Sequence, residues 1–278
     1  WIDQAAAYDV GNHGANWGWL CYLLPNLEQG NLYSQLGVGN AGLTYALDDA
    51  TKWSLMKKPL KMFRCPSDTA PAANTFQTLL SQTGNLRETA VANYVGTNGG
   101  GVWSPHPVLN VPPPVPPAVP VNEMLDGSFG MNSHVNFSDF TDGTSNTIVA
   151  GERAWELPTP PQQGGGAGAT SGKDICGAAT IYGVSYDPTT GLAQQERTLA
   201  RGVYGINQTG FDPNSNPRVS VCTASYSSRH SGGSQFLMGD GAVRFVSENI
   251  QRNQDGLQGN YVYQNLLNKA DGFVIGDF

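Results

Sequence analysis

The chain has 278 residues, 39% hydrophobic and only 13% charged, with a net charge of −7 and a pI near 5.0. That balance excludes the basic surface on which nucleic-acid binding depends, and no run approaches the roughly 18 apolar residues that span a bilayer. With 35 Gly, 18 Pro and many small polar residues, the composition describes a β- and loop-rich molecule with a neutral-polar surface, while 6 Trp, 11 Tyr and 10 Phe supply its core.

In chain order, residues 1–16 read as a leading loop that leaves His13 in solvent. The dense apolar run from Trp17 to Leu36 predicts short helical turns, with Pro25 opening one of them. Asp48 or Asp49 caps a helix running through Lys58, and Pro59 ends it. The basic cluster Lys57, Lys58, Lys61 and Arg64 reads as a solvated helix end or strand edge. Alternation predicts a strand over 60–65, a turn at Pro66-Ser67-Asp68, a short helix over 76–80 and a strand over 91–96.

Residues 104–121 are proline-rich and favour an extended surface excursion that cannot enter a sheet. A strand over 147–151 ends at Glu152, and residues 158–174 form a Gly-rich loop. A strand over 219–226, a helix over 261–267, a turn at Asp271-Gly272 and a strand over 273–275 complete the reading. The fold expected is a single α+β domain over 1–278, with a mainly antiparallel sheet, short helices and long Pro/Gly-rich loops.

The strongest local signal is a hairpin centred on Asp240-Gly241. A two-residue turn there, with positive φ at both positions, pairs Met238 with Val243 and Phe236 with Phe245. Phe236, Met238, Val243 and Phe245 would then share the buried face. His230 stands at the start of this segment, beside Ser231-Gly232-Gly233.

Four cysteines, Cys21, Cys65, Cys176 and Cys222, lie far apart without zinc-site spacing. In an exported protein they allow two disulfides in three connectivities, and the composition favours export. No nucleophile elbow, phosphate loop or HExxH is present. Ser228, His230 and Asp240 supply the residue types of a nucleophilic triad, although a histidine beside a Gly-Gly turn more simply fixes the loop. Asp139, Asp142, Asn146, Glu152 and Asp240 are hard oxygen donors in turn-rich segments and suit a structural calcium, although plain turns and caps account for them too. With His230 in such a cluster, a transition metal fits better.

Several stretches carry a resemblance. His230, nine residues and Asp240-Gly241 come last. Before them stand the Trp-rich run 17–33 with Leu-Leu-Pro-Asn-Leu-Glu-Gln, Phe63-Arg-Cys-Pro-Ser-Asp68, Asn93-Tyr-Val-Gly96, Thr141-Asp-Gly-Thr-Ser-Asn-Thr147 and Gly151-Glu152-Arg153. The closing run 271–278 also fits. Together they resemble a planctomycete-type, prepilin- and pseudopilin-like family of unknown function (DUF1559-like) with a C-terminal H-X9-DG motif.

The resemblance implies a pilin-like head lacking its N-terminal helix. It also implies structural roles for Cys65, Asp142, Gly143, Glu152, His230, Asp240 and Gly241. In relatives Cys65 would pair with a cysteine of the front helix, which leaves Cys65 and Cys21 free to be rearranged here. Cys176 and Cys222 lie outside the shared motifs and in the same half, so they are the bridge expected here. The function implied is a non-enzymatic, exported subunit of a filament or envelope complex, without a cofactor. Its partners are copies of itself or other subunits, and it meets the membrane only through the missing helix. An extracellular saccharide- or solute-binding module is the alternative, and a hydrolase using His230 is the third reading.

Overall fold

The computed structural model describes residues 16–100, 126–130, 133–159, 169–170, 172–187, 192–211, 220–253, 260–273 and 275. His13, the proline-rich stretch 104–121 and the middle of 158–174 lie outside them. The fold is α+β, with short helices packed around mainly antiparallel sheets.

A five-stranded sheet is built from β1 (Tyr94–Gly99), β2 (Ile148–Glu152), β3 (Leu199–Arg201), β4 (Gly233–Met238) and β5 (Val243–Ser247), in the order β3-β1-β2-β4-β5. Only the β3–β1 edge pair is parallel. The expected strand ending at Glu152 is thus β2, at the centre of the sheet.

Helices α1 (Trp19–Leu23), α2 (Gly30–Leu36), α3 (Leu43–Asp48) and α4 (Ala50–Met56) come from the N-terminal third, and α5 (Val262–Leu267) from the far end. Their apolar residues join those of the sheet in one buried cluster that includes Trp17, Leu20, Leu43, Leu47, Phe236, Met238, Tyr226 and Leu266. Among the described residues, no helix is long and apolar enough to cross a membrane.

Local chemistry explains the helix ends. The Asp49 carboxylate accepts hydrogen bonds from the amides of Thr51 and Lys52, capping α4 as the sequence predicts. Pro25 lies in the first turn of a 3-10 helix over Leu24–Leu27.

Elsewhere tertiary contacts override the local pattern. Residues 60–65 are not a strand: Lys61–Phe63 is a 3-10 helix that drives Phe63 into the core and leaves Met62 exposed. No helix forms over 76–80, although the Asn74 side chain accepts from the amides of Phe76 and Gln77 as an N-cap would, because the chain is drawn into pairing with Leu86–Arg87. Leu79–Leu80 forms a short strand instead.

Residues 220–226 are buried but not extended. Ser220 caps a 3-10 helix over Val221–Thr223. The ends of the expected loop 158–174 belong to a three-stranded sheet of Glu156–Pro158, Ala169–Thr170 and Lys173–Ile175. Phe273 and Ile275 lie outside any strand.

The hairpin is real, but its register differs by one residue. Leu237 pairs with Val243, Phe236 with Arg244 and Gln235 with Phe245. The Met238 amide donates to the Ala242 carbonyl and the Gly241 amide to the Met238 carbonyl, so the loop has three residues. Only Gly241 takes a positive φ, at 89°, as in a type I turn closed by a bulge.

The cause lies outside the hairpin: the amides of Gly239 and Asp240 bond to the carbonyls of Thr147 and Thr144. A one-residue slip exchanges the faces of β5. Val246 is therefore buried with Phe236 and Met238, while Val243 and Phe245 point outward. A Cβ on Gly241 meets nothing within 4 Å, so a valine there tests backbone strain alone. Gly241→Val is expected to cost about 1–3 kcal/mol in urea unfolding; no measurable change would contradict the turn.

Cys176 and Cys222 form the expected disulfide across 46 residues, within a small buried cluster with Ala154 and Leu157. Such a bridge fits an exported protein. Cys21 and Cys65 are free and buried.

Candidate functional site

Three of the sequence motifs meet at the Glu152 end of β2. The Cys-Pro-Ser-Asp turn is fastened there by Asn93 and Asp68. The Cys65 amide donates to Asn93 Oδ1 at 3.0 Å, and Asn93 Nδ2 donates to Asp68 Oδ2 at 2.6 Å. Asp68 Oδ1 accepts from the Trp155 amide at 3.0 Å. On the other side, the Ser227 amide donates to the Glu152 carbonyl, and Ser227 Oγ accepts from the Ala154 amide. Ser228 Oγ then donates to the Gly233 carbonyl at 2.7 Å and accepts from the His230 amide at 3.1 Å. That tight loop folds His230 back over Glu152.

The result is a cluster of Cys65, Glu152 and His230, whose ligand atoms all lie within 4.8 Å of one another. His230 Nε2 is 3.3 Å from Glu152 Oε1 and 3.7 Å from Cys65 Sγ. The other Glu152 oxygen accepts from the Gln235 amide at 2.8 Å and from Ser234 Oγ at 3.3 Å. Glu152 is buried, and the His230 side chain is 37% exposed, so the cluster opens to solvent on the histidine side. Tyr94 pairs with Glu152 across the strands; burial, and then the adjacent Glu152 and Cys65, push its phenol pKa up.

This geometry does not make a nucleophilic relay. A relay needs the acid on one ring nitrogen and the nucleophile on the other, whereas Glu152 and Cys65 both approach Nε2. Nor does Ser228 serve as a nucleophile, because its hydroxyl is held by backbone groups. Asp240 is exposed at the opposite end of β4 from His230, where its carboxylate accepts from the Ala242 amide.

The other proposed oxygen donors are spent on backbone. Asp139 closes a capping box with Asn136. The Asp142 carboxylate accepts from the amides of Asp271 and Gly272 at 2.6 and 3.0 Å, fastening the Thr-Asp-Gly-Thr motif to the closing segment. Asn146 donates its side-chain amide to the Asp142 carbonyl, and Gly143 supplies a positive φ of 96°. Among the described residues, Asp139, Asp142 and Asp240 join no His/Cys/Asp/Glu cluster of metal-ligand size.

Sequence reasoning named Glu152 and His230 as candidate ligands but left Cys65 among structural and disulfide residues. The available signal was that all three belong to shared motifs. Arg153 was missed as well. It is fully buried, and its guanidinium donates to the carbonyls of Ser225, Glu196 and Leu199.

A family model described as "Protein of unknown function (DUF1559)" matches residues 4–253. The chain belongs to that family. No curated protein matches this DUF1559 member, and neither does any solved structure.

Proposed function

We propose that this protein is a non-enzymatic, exported subunit of a pilin-like filament or envelope complex, acting in the cell envelope, the periplasm or at the outer surface. Its head would contact a second copy through the outer face of the β4–β5 hairpin. One observation carries the reading: Leu237, Val243 and Phe245 are 40%, 65% and 46% exposed on that face. Phe137, near Leu237 at the rim of a shared pocket, is 77% exposed. Monomeric proteins seldom leave such apolar groups together in water. β5 is also a sheet edge whose outer side carries no strand partner among the described residues.

The test is sedimentation velocity over a concentration series. Wild-type protein is expected to self-associate, and Val243→Lys with Phe245→Lys to remain monomeric with an unchanged unfolding midpoint. A wild type that stays monomeric throughout, or variants that associate equally well, would reject the hairpin contact.

A second reading has its own support. A pocket of about 470 Å³ lies beside the hairpin, lined by Phe129, Phe137, Phe140, Val149 and Leu237 with Ser128 and Asn136 among the polar groups. That size and chemistry suit a small solute or a saccharide ring. Saturable saccharide binding by a persistently monomeric protein, lost in Phe140→Ala, would favour the binding module.

A further inference from the structure

We propose that Cys65, Glu152 and His230 form a zinc site that clasps three distant segments of the chain. The donor separations point to a shared ion rather than to hydrogen bonds among the three side chains. Nε2 has one hydrogen at most to share between two acceptors: its 3.3 Å separation from Glu152 Oε1 exceeds the usual N–H···O distance of about 2.9 Å, and Cys65 Sγ, 3.7 Å away, also has the Ser67 hydroxyl at 3.0 Å. Around a tetrahedral zinc ion, the usual bond lengths place S and N about 3.5 Å apart and N and O about 3.3 Å apart. The observed spacings are close to both.

The donor set is a thiol, an imidazole and a carboxylate, a combination that suits zinc far better than calcium. The supporting shell is already in place. Glu152 Oε2 is held by the Gln235 amide and Ser234 Oγ, which leaves Oε1 to the ion. The Cys65 backbone is fixed by Asn93, and the His230 backbone by Ser228. His230 leaves the cluster open on one side, giving an ion a path in and a water the fourth position.

Zinc also gives a role to Cys65, one of two unbridged cysteines in a protein whose other half carries a disulfide. As a zinc ligand the sulfur is a metal-bound thiolate, shielded from oxidation and exchange. The ion would tie residues 65, 152 and 230 together, and its binding energy would add to folding stability.

The experiment uses the 278-residue chain purified under reducing conditions, stripped with chelator and titrated with Zn²⁺ alone. Wild-type protein is expected to bind one ion per chain and to melt at a higher temperature with zinc than without. Zinc should also protect Cys65 from alkylation. Cys65→Ser and His230→Gln are each expected to weaken binding more than about 100-fold, the upper end of what losing even an outer-shell partner costs. Both substitutions keep polar groups of similar size, and far-ultraviolet circular dichroism checks that the variants fold. Co²⁺ gives an independent readout, because a thiolate-to-cobalt charge-transfer band should appear in wild type and vanish in Cys65→Ser. Absence of stoichiometric binding by wild type, or undiminished binding by folded Cys65→Ser and His230→Gln, would overturn the site.

Discussion

Gly151→Val is expected to cost about 4 kcal/mol or more, a large share of the roughly 5–15 kcal/mol by which a domain is ordinarily stable. Gly151 lies in β2 between Val95 of β1 and Phe236 of β4. A Cβ there would stand 2.6 Å from ring carbons of both Phe236 and Tyr226. Those rings pack edge-on at 5.0 Å, and both are almost completely buried. Neither can move aside without opening the core, and the strand cannot retreat because it is paired on both edges. Overpacking usually costs about 1–3 kcal/mol. Here two aromatic rings and a central strand must yield together, which places the loss in the range reserved for severe core damage. Urea unfolding measures it. A Gly151→Val protein with a midpoint near that of wild type would show that the rings do not sit against this strand.

The second large effect is alkaline unfolding. Burial pushes the pKa values of the Tyr182, Tyr226 and Tyr263 phenols and of the Cys21 thiol above their ordinary values of 10.0 and 9.0. A raised folded pKa contributes stability that is intact below the unfolded value and is lost as pH rises toward the folded one. In this window the unfolded chain gives up protons that the folded chain keeps. The Arg153 guanidinium works the other way, because burial lowers it to about 10 against 12.5. Tyr94, raised, and Lys269, lowered by burial, act in opposite senses and offset each other, so four groups against one leave a net of three and stability should fall by roughly 4 kcal/mol per pH unit above about pH 10.5. A domain of ordinary stability then unfolds within a few pH units. In a spectrophotometric titration these three phenols should ionise only with the cooperative loss of near-ultraviolet circular dichroism. Their reversible ionisation near pH 10 with the fold intact would contradict the prediction.

Much of the secondary structure was legible where short-range chemistry decides it. The Asp49 cap, the Pro25 turn, strand β2 ending at Glu152 and helix α5 follow from residue type and position, whereas the Cys176–Cys222 bridge was expected only because neither cysteine lies in the motifs shared with the family. The hairpin marks the limit. Asp240-Gly241 suits both a two-residue turn and a bulged three-residue loop; the choice is made by carbonyls of Thr144 and Thr147, about a hundred residues earlier in the chain. Reading the wrong loop turned Phe245 inward and hid the apolar face that now carries the functional reading. The candidate site had the same limit. Glu152 and His230 are 78 residues apart and Cys65 is 165 residues from His230, so no local spacing could join them. Only the fold does.

The order of strands in the central sheet also governs when this protein can fold. β2 is flanked by β1, which lies before it in the chain, and by β4, more than eighty residues after it. The helices of the first third pack into the same core as the hairpin. A chain growing from its N-terminus therefore holds one edge of β2 unsatisfied, with the residues of its eventual core exposed, until almost all of it has been made. Folding waits on closure of very long loops, which is slow. That schedule suits the exported role proposed above: such a chain would stay extended long enough to be threaded through a translocation channel and would take its shape on the far side.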